Sequence, residues 1–296
     1  MARRADAHVH LFAGGYRGSF VGRPGVVVDE ASCYASLMAD HDLDAALIVG
    51  YQGHDWCAEN NSYLAEILPH NEWMRPVAFV HLDHQLSVAQ LTALQQQGFV
   101  GISVYVLGER GTQGLARIAP ACWAWLSAHN WLVSANSIGT TWRAWQPILD
   151  QHPDLRLLAS HLGLPPRQIE SPPPATAESL LADVLALGRW PGPRVKLSGF
   201  YALSDPGHDF PHRATWPYVT ALISRFGTHR LLWGSDFSPC LDDVSFPQAL
   251  GILQHLPDLT TADRAAIGGE NLLELLDQVR SSPPSGRSMS EHDERP

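Results

Sequence analysis

Lysine is almost missing from this chain. Of the 20 lysines and arginines among its 296 residues, only Lys196 is a lysine, so chemistry that needs a second lysine is closed to it. Cysteine is scarce too. Cys33, Cys57, Cys122 and Cys240 are scattered with no CxxC pair, which fits reduced thiols better than a disulfide frame or a zinc knuckle. Positive charge is in deficit, with a formal net charge of −10, and this argues against a nucleic-acid or anionic-membrane partner. No apolar run reaches the ~20 residues of a membrane-spanning helix. Met-Ala-Arg-Arg-Ala-Asp leads into the first strand without a signal-peptide apolar region, so the expected location is cytoplasmic. No GxGxxG follows that strand, which leaves a dinucleotide fold without local support.

What the chain does have is rhythm. Short apolar runs read as strands at 5–10, 45–50, 75–81, 99–105, 131–136, 156–161, 194–199 and 230–236. Helical stretches separate them near 30–41, 59–69, 86–97, 115–129, 142–151, 176–189 and 214–226, and a last helical region covers 247–280. Asp29 and Thr260 are placed as helix N-caps. Eight buried-type strands with helices between them predict a parallel sheet, and the count of eight favours a single (β/α)₈ TIM barrel. Residues 1–280 are expected to form it. Residues 281–296, rich in Ser, Pro and charge, are expected to be a disordered tail. Residues 164–175 read as a semi-rigid proline-rich loop, and 200–213 as a long loop after the seventh strand.

The candidate chemistry starts in the first strand, Ala5-Asp-Ala-His8-Val-His10-Leu-Phe12. Side chains alternate along a strand, so Asp6, His8 and His10 are expected on one face. The two imidazoles, about 7 Å apart along the strand, can close on one divalent ion. In a barrel the active site lies at the C-terminal ends of the strands. The sixth strand ends in Ser160-His161-Leu162-Gly163 and the eighth in Gly234-Ser235-Asp236. A lone strand-end histidine is commonly structural, and a lone Asp after a strand is commonly a helix cap. Three histidines and a carboxylate at one barrel mouth point to a site.

Asp6-Ala-His8-Val-His10, the Ser160-His161-Leu-Gly turn and Gly234-Ser-Asp236 resemble the signatures of the amidohydrolase superfamily, and most closely its amidohydrolase-2 branch of lactonases and nonoxidative decarboxylases. Val195-Lys-Leu-Ser-Gly199 resembles a strand of the lactonase type, and Gly269-Glu-Asn-Leu-Leu273 the closing helix. The resemblance implies that His8, His10, His161 and Asp236 hold one divalent metal ion, zinc by preference, with manganese also suited to the donor set. It implies Asp236 and His161 as catalytic residues, Asp236 being the base that activates water. A metal-free variant, in which the histidines polarise the carbonyl directly, is equally a property of the branch. A two-metal site is not expected, because Lys196 falls on the seventh strand and the fifth ends in Ser134-Ala-Asn136.

The resemblance further implies a small-molecule substrate, most simply a sugar-acid or pyrone-type carboxylate lactone opened by water. The alternative is metal-dependent nonoxidative decarboxylation of a small aromatic or muconate-type acid. Tyr51, His54, Lys196, Tyr201 and Arg213 are the expected substrate contacts, Lys196 either gripping a carboxylate or sitting in an internal ion pair. Arg17, Arg110 and Arg143 also lie in strand-end loops. Trp56 and Trp142 are the tryptophans expected at the mouth, while His81 and His84 read as structural. The fourth and seventh strands lack arginines common in relatives, which suggests a substrate less charged than a dicarboxylate. A homo-oligomer is compatible with the sequence.

Overall fold

The computed structural model describes residues 3–17 and 27–279. Its centre is eight strands: β1 (Ala5–Val9), β2 (Ala45–Val49), β3 (Met74–Phe79), β4 (Gly101–Val106), β5 (Leu132–Ser137), β6 (Arg156–Ala159), β7 (Arg194–Leu197) and β8 (Leu231–Trp233). They pair in parallel and in sequence order. A bridge between Val9 and Phe237, with the Asp236 N–H donating to the His8 carbonyl at 2.8 Å, joins the last strand to the first. The barrel expected from the eight apolar runs is therefore present.

Thirteen helices are described around it: α1 (Glu30–Asp40), α2 (Asn60–Ile67), α3 (Val88–Gln96), α4 (Glu109–Arg117), α5 (Pro120–Ala128), α6 (Gln146–Gln151), α7 (Pro174–Leu180), α8 (Ala182–Leu187), α9 (Phe200–Leu203), α10 (Trp216–Phe226), α11 (Phe246–His255), α12 (Thr261–Gly268) and α13 (Glu270–Asp277). Asp29 and Thr260 cap α1 and α12 by accepting from Ser32 N–H and Asp263 N–H. The single helix expected at 115–129 is two helices. Pro120 opens the second, since proline lacks the N–H that a helix interior needs. The last helical region is three helices, and the 200–213 loop contains α9. None of the described helices is long and apolar enough to cross a membrane. The expected tail, 281–296, lies outside the described residues.

Strand side chains divide by parity. Ile48, Ile102, Val104, Val133, Leu157 and Val195 pack outward under the helices. Inward, Leu47, Val77, Leu132, Leu158 and Leu232 fill the first layer with hydrocarbon. One step further along the strands the inward residues turn polar: Ser103, Ser134, Lys196 and Ser198 are all fully buried. A buried polar group costs free energy unless it finds a partner, so the sequence concentrates that cost at the C-terminal end of the barrel.

Candidate active site

His8 and His10 leave β1 toward the barrel interior, but Asp6 does not join them. The register shifts between Asp6 and Val9, and an irregularity of this kind re-aims side chains. Asp6 pairs with the outward-facing Ala46 and accepts a hydrogen bond from Tyr34 of α1 at 2.9 Å. Its other oxygen accepts from the His8 N–H at 3.0 Å and the Ser235 N–H at 2.9 Å. The expected common face of Asp6, His8 and His10 is thus corrected: Asp6 ties β1 to the β8 loop from behind.

The four expected ligands come together. His8 Nε2 and His10 Nε2 are 3.1 Å apart, and each lies 3.6–3.7 Å from Asp236 Oδ1. Nitrogen or oxygen donors 2.0–2.1 Å from a tetrahedral ion lie about 3.4 Å from one another, so these spacings suit one centre. Ligand atoms of His8, His161 and Asp236 fall within 4.8 Å of each other. His161 Nδ1 sits 3.1 Å from Ser198 Oγ and 3.8 Å from Asp236 Oδ2. His10 Nδ1 lies 2.7 Å from the Val49 carbonyl. A carbonyl only accepts, so Nδ1 carries the proton and Nε2 presents a lone pair.

Local backbone makes this convergence. His161 and Asp236 both adopt left-handed φ, 51° and 61°, a conformation that costs non-glycine residues about 1–3 kcal/mol and gathers at functional sites. Gly199 has φ 64°, and a Cβ there would lie 2.5 Å from His161 Nδ1. Glycine at this position admits the imidazole. Trp142 Nε1 donates to the Gly163 carbonyl at 2.8 Å and holds the turn after His161. This tryptophan is fully buried, so its expected place at the mouth is corrected to one beneath it.

Burial sets the protonation states. It drives His8 well below the ordinary imidazole value, His10 to about 4 and His161 to about 3, with the Lys196 ammonium acting in the same direction on each. All three imidazoles are neutral at pH 7 and carry ligand lone pairs. Burial lifts Asp236 to about 7 against the pull of the Tyr201 hydroxyl. Tyr201, on α9, donates to Asp236 Oδ2 at 2.7 Å, and Asp236 Oδ1 is buried without a hydrogen-bond partner. A bare buried carboxylate oxygen facing three neutral imidazoles fits a divalent cation.

The other expected contacts scatter. Lys196 is fully buried, donates to Ser134 Oγ at 2.7 Å and lies 3.3 Å from His8 Nδ1. It lies beneath the histidines, and the partners described for it are a hydroxyl and an imidazole, neither of them a carboxylate. Tyr51 is half-buried, its ring 5.0 Å from Tyr105 and 5.8 Å from His54. His54 in turn stacks toward Trp56 at 6.3 Å. Arg213 is exposed, its guanidinium 5.7 Å above the Trp216 ring, in a surface groove with Ser171 and Glu178. The contacts described for Arg213, with Ser171 and Trp216, lie apart from the His8, His10, His161 and Asp236 cluster. Arg110 and Arg143 pair with Asp83 and Asp183, and Arg17 is exposed.

The sequence model of the amidohydrolase-2 family, described as amidohydrolase, matches residues 5–277. The chain belongs to the amidohydrolase family. No curated protein matches it. Among solved structures it is similar to an amidohydrolase from Burkholderia multivorans with bound zinc, with a TM-score of 0.70 and 19% identity over 93% of this chain and 99% of that one. A probable 2-pyrone-4,6-dicarboxylic acid hydrolase from Acinetobacter baumannii, with citric acid bound, gives 0.68 and 17% over 93% and 99%. The 2,6-dihydroxybenzoate decarboxylase from Rhizobium gives 0.61 and 14% over 94% and 99%. At these identities the likeness is one of fold.

Several residues around the amidohydrolase site escaped sequence reasoning. Glu30 is buried at the start of α1 and accepts from the N–H groups of Phe12 and Tyr16 at 2.7 and 2.8 Å. It holds the loop that lays Phe12 against His10, ring centroids 5.8 Å apart. Ser134 and Ser198 anchor Lys196 and His161. The parity of the strands could have found both serines, since Ser134 lies two residues beyond the inward Leu132 and Ser198 two beyond the inward Lys196.

Proposed function

We propose that this amidohydrolase is a lactonase that opens a small sugar-acid or pyrone-type lactone with an activated water. The observation that carries the reading is Asp236 Oδ1, buried and unpartnered, 3.6–3.7 Å from two imidazole nitrogens and held by Tyr201 through its other oxygen. Such a carboxylate is placed to take a proton from water, and its upward shift makes it a better base near neutral pH. The proton moves to Asp236 and the hydroxide oxygen bonds to the acyl carbon. The acyl carbon–ring oxygen bond then breaks, and the ring oxygen leaves with the proton that Asp236 held. His161, neutral and braced by Ser198, faces the carbonyl oxygen as it gains charge.

His8, His10, His161 and Asp236 would hold a divalent metal ion, zinc being best matched to three nitrogens and one oxygen, and such an ion lowers the pKa of water and polarises a carbonyl. Without an ion, the same imidazoles hold and polarise the carbonyl themselves. The nonoxidative decarboxylase reading is supported by the likeness to the Rhizobium enzyme. Arg110 and Arg143 are held by Asp83 and Asp183 and Arg213 lies over Trp216, while a carboxylate substrate of either kind, aromatic acid or carboxylate lactone, calls for a fixed cation. Product analysis separates the two. A lactone panel followed by pH indicator, run beside carbon dioxide detection on aromatic acids, is expected to show acid release without carbon dioxide. Carbon dioxide release with inert lactones would reverse the assignment.

A further inference from the structure

The cavity has two unlike walls. From β1 to β4 it is aromatic. His10 stacks on Phe12, Phe12 meets Trp56 at 4.8 Å, and Trp56 leads through His54 to Tyr51. Tyr51, Phe79 and Tyr105 then form a triangle with centroids 5.0–5.6 Å apart. Tyr105 pairs in register with Asn136 of β5, which sets the triangle beside the next wall. Phe79 and Tyr105 also border a surface groove of about 380 Å³ with His81 and Leu107. Arg110 at its edge is bound through Nε and Nη2 to both oxygens of Asp83, at 2.9 and 2.7 Å, so its charge is already matched.

From β4 to β6 several inward groups are small, polar and unsatisfied. Ser103 Oγ, Asn136 Nδ2 and Ser160 Oγ are buried with no hydrogen-bond partner. Asn136 and Ser160 lie two residues beyond the inward-facing Ser134 and Leu158 of their strands. Buried polar atoms of this kind are normally paired. Two of them, Asn136 and Ser160, lie one step beyond the Ser103–Ser134 layer and call for a ligand that brings a neutral donor and acceptor.

We propose that the substrate is a flat, uncharged, aryl-fused lactone, its ring held by Tyr51, Phe79 and Tyr105 and its polar edge turned to Asn136 and Ser160. The proposal rests on the lactonase reading and names the substrate class for it. Rings favour offset or edge-on contact at these centroid distances. A carboxylate against the aromatic triangle would be desolvated among rings that offer it no charge, which is costly.

The test uses the full-length protein and two measurements. Binding is followed by calorimetry with chroman, which has the fused ring but no scissile carbonyl, and with chroman-2-carboxylate. Hydrolysis is followed with 3,4-dihydrocoumarin and δ-valerolactone. Chroman is expected to bind wild type, to bind Phe79→Leu and Tyr105→Leu about tenfold more weakly, and to bind Tyr105→Phe as wild type does, with melting temperatures reporting that each variant folds. The KM for dihydrocoumarin is expected to rise about tenfold in the two leucine variants, more than that for δ-valerolactone. Failure of chroman to bind, tighter binding of chroman-2-carboxylate, or equal loss in Tyr105→Phe and Tyr105→Leu would overturn the aryl subsite. If chroman binds as expected and neither lactone is opened, the subsite stands and the lactonase reading falls.

Discussion

The Tyr201 hydroxyl donates to Asp236 Oδ2 at 2.7 Å and leaves Oδ1 free to face the histidines. This hydrogen bond opposes the upward push of burial on the carboxylate. Hydrogen bonds to charged groups contribute about 1.5–3 kcal/mol. Tyr201→Phe is therefore expected to lower kcat about 10- to 100-fold. The donor favours the ionised form, so its loss raises the pKa of Asp236 further. The ascending limb of the kcat/KM profile is expected to move to higher pH, as a pH series on both proteins would show. An unmoved limb would mean that Tyr201 acts on the substrate instead.

Asp6 acts from the other side of the same strand. One oxygen accepts from His8 N–H and Ser235 N–H, and the other from the Tyr34 hydroxyl. Asp6→Ala leaves three buried donors without a partner. It is expected to cost about 2–4 kcal/mol of stability, read from urea denaturation, together with most of the activity, because both ligand-bearing segments lose their common tie.

Arg213 gives a contrasting expectation. It lies over Trp216 at the surface, so Arg213→Ala should change kcat/KM by less than about twofold, within the range of ordinary surface substitutions. A loss of tenfold or more in KM would return it to the cavity.

His212 supplies a pH dependence of stability. It is buried against Phe200 and Phe210, its Nδ1 has no partner, and burial lowers its pKa to about 4. The unfolded chain takes up this proton near pH 6.5 and the folded chain only near 4. Between those values the unfolded state binds more protons, so stability falls as pH drops. His212→Asn, which tolerates the left-handed backbone, removes this contribution. The stability difference between wild type and variant is expected to be constant above pH 7 and to move against wild type from pH 6.5 to 4, as denaturation at several pH values would show.

Much of this architecture could be read from the residue order. Alternating apolar runs give the eight strands because a strand buried on both faces needs continuous hydrocarbon. His8, His10, His161 and Asp236 stand out because each ends a strand. Less legible was whatever depended on irregular backbone. The register shift in β1 reversed Asp6, and Glu109-Arg-Gly-Thr-Gln-Gly-Leu-Ala-Arg117 hid a helix behind two glycines of low propensity. Trp142 was misplaced for a related reason: a loop position says little about depth, and its indole is fully buried.

The central claim is that residues from three distant strand ends act as one catalytic centre with Asp236 as its base. Steady-state lactone hydrolysis by wild type and Asp236→Asn, with matched melting temperatures, tests it most directly. Wild type is expected to turn over and the asparagine variant to lose at least about a thousandfold in kcat, the scale of removing a general base. Hydrolysis by Asp236→Asn within tenfold of wild type would contradict it.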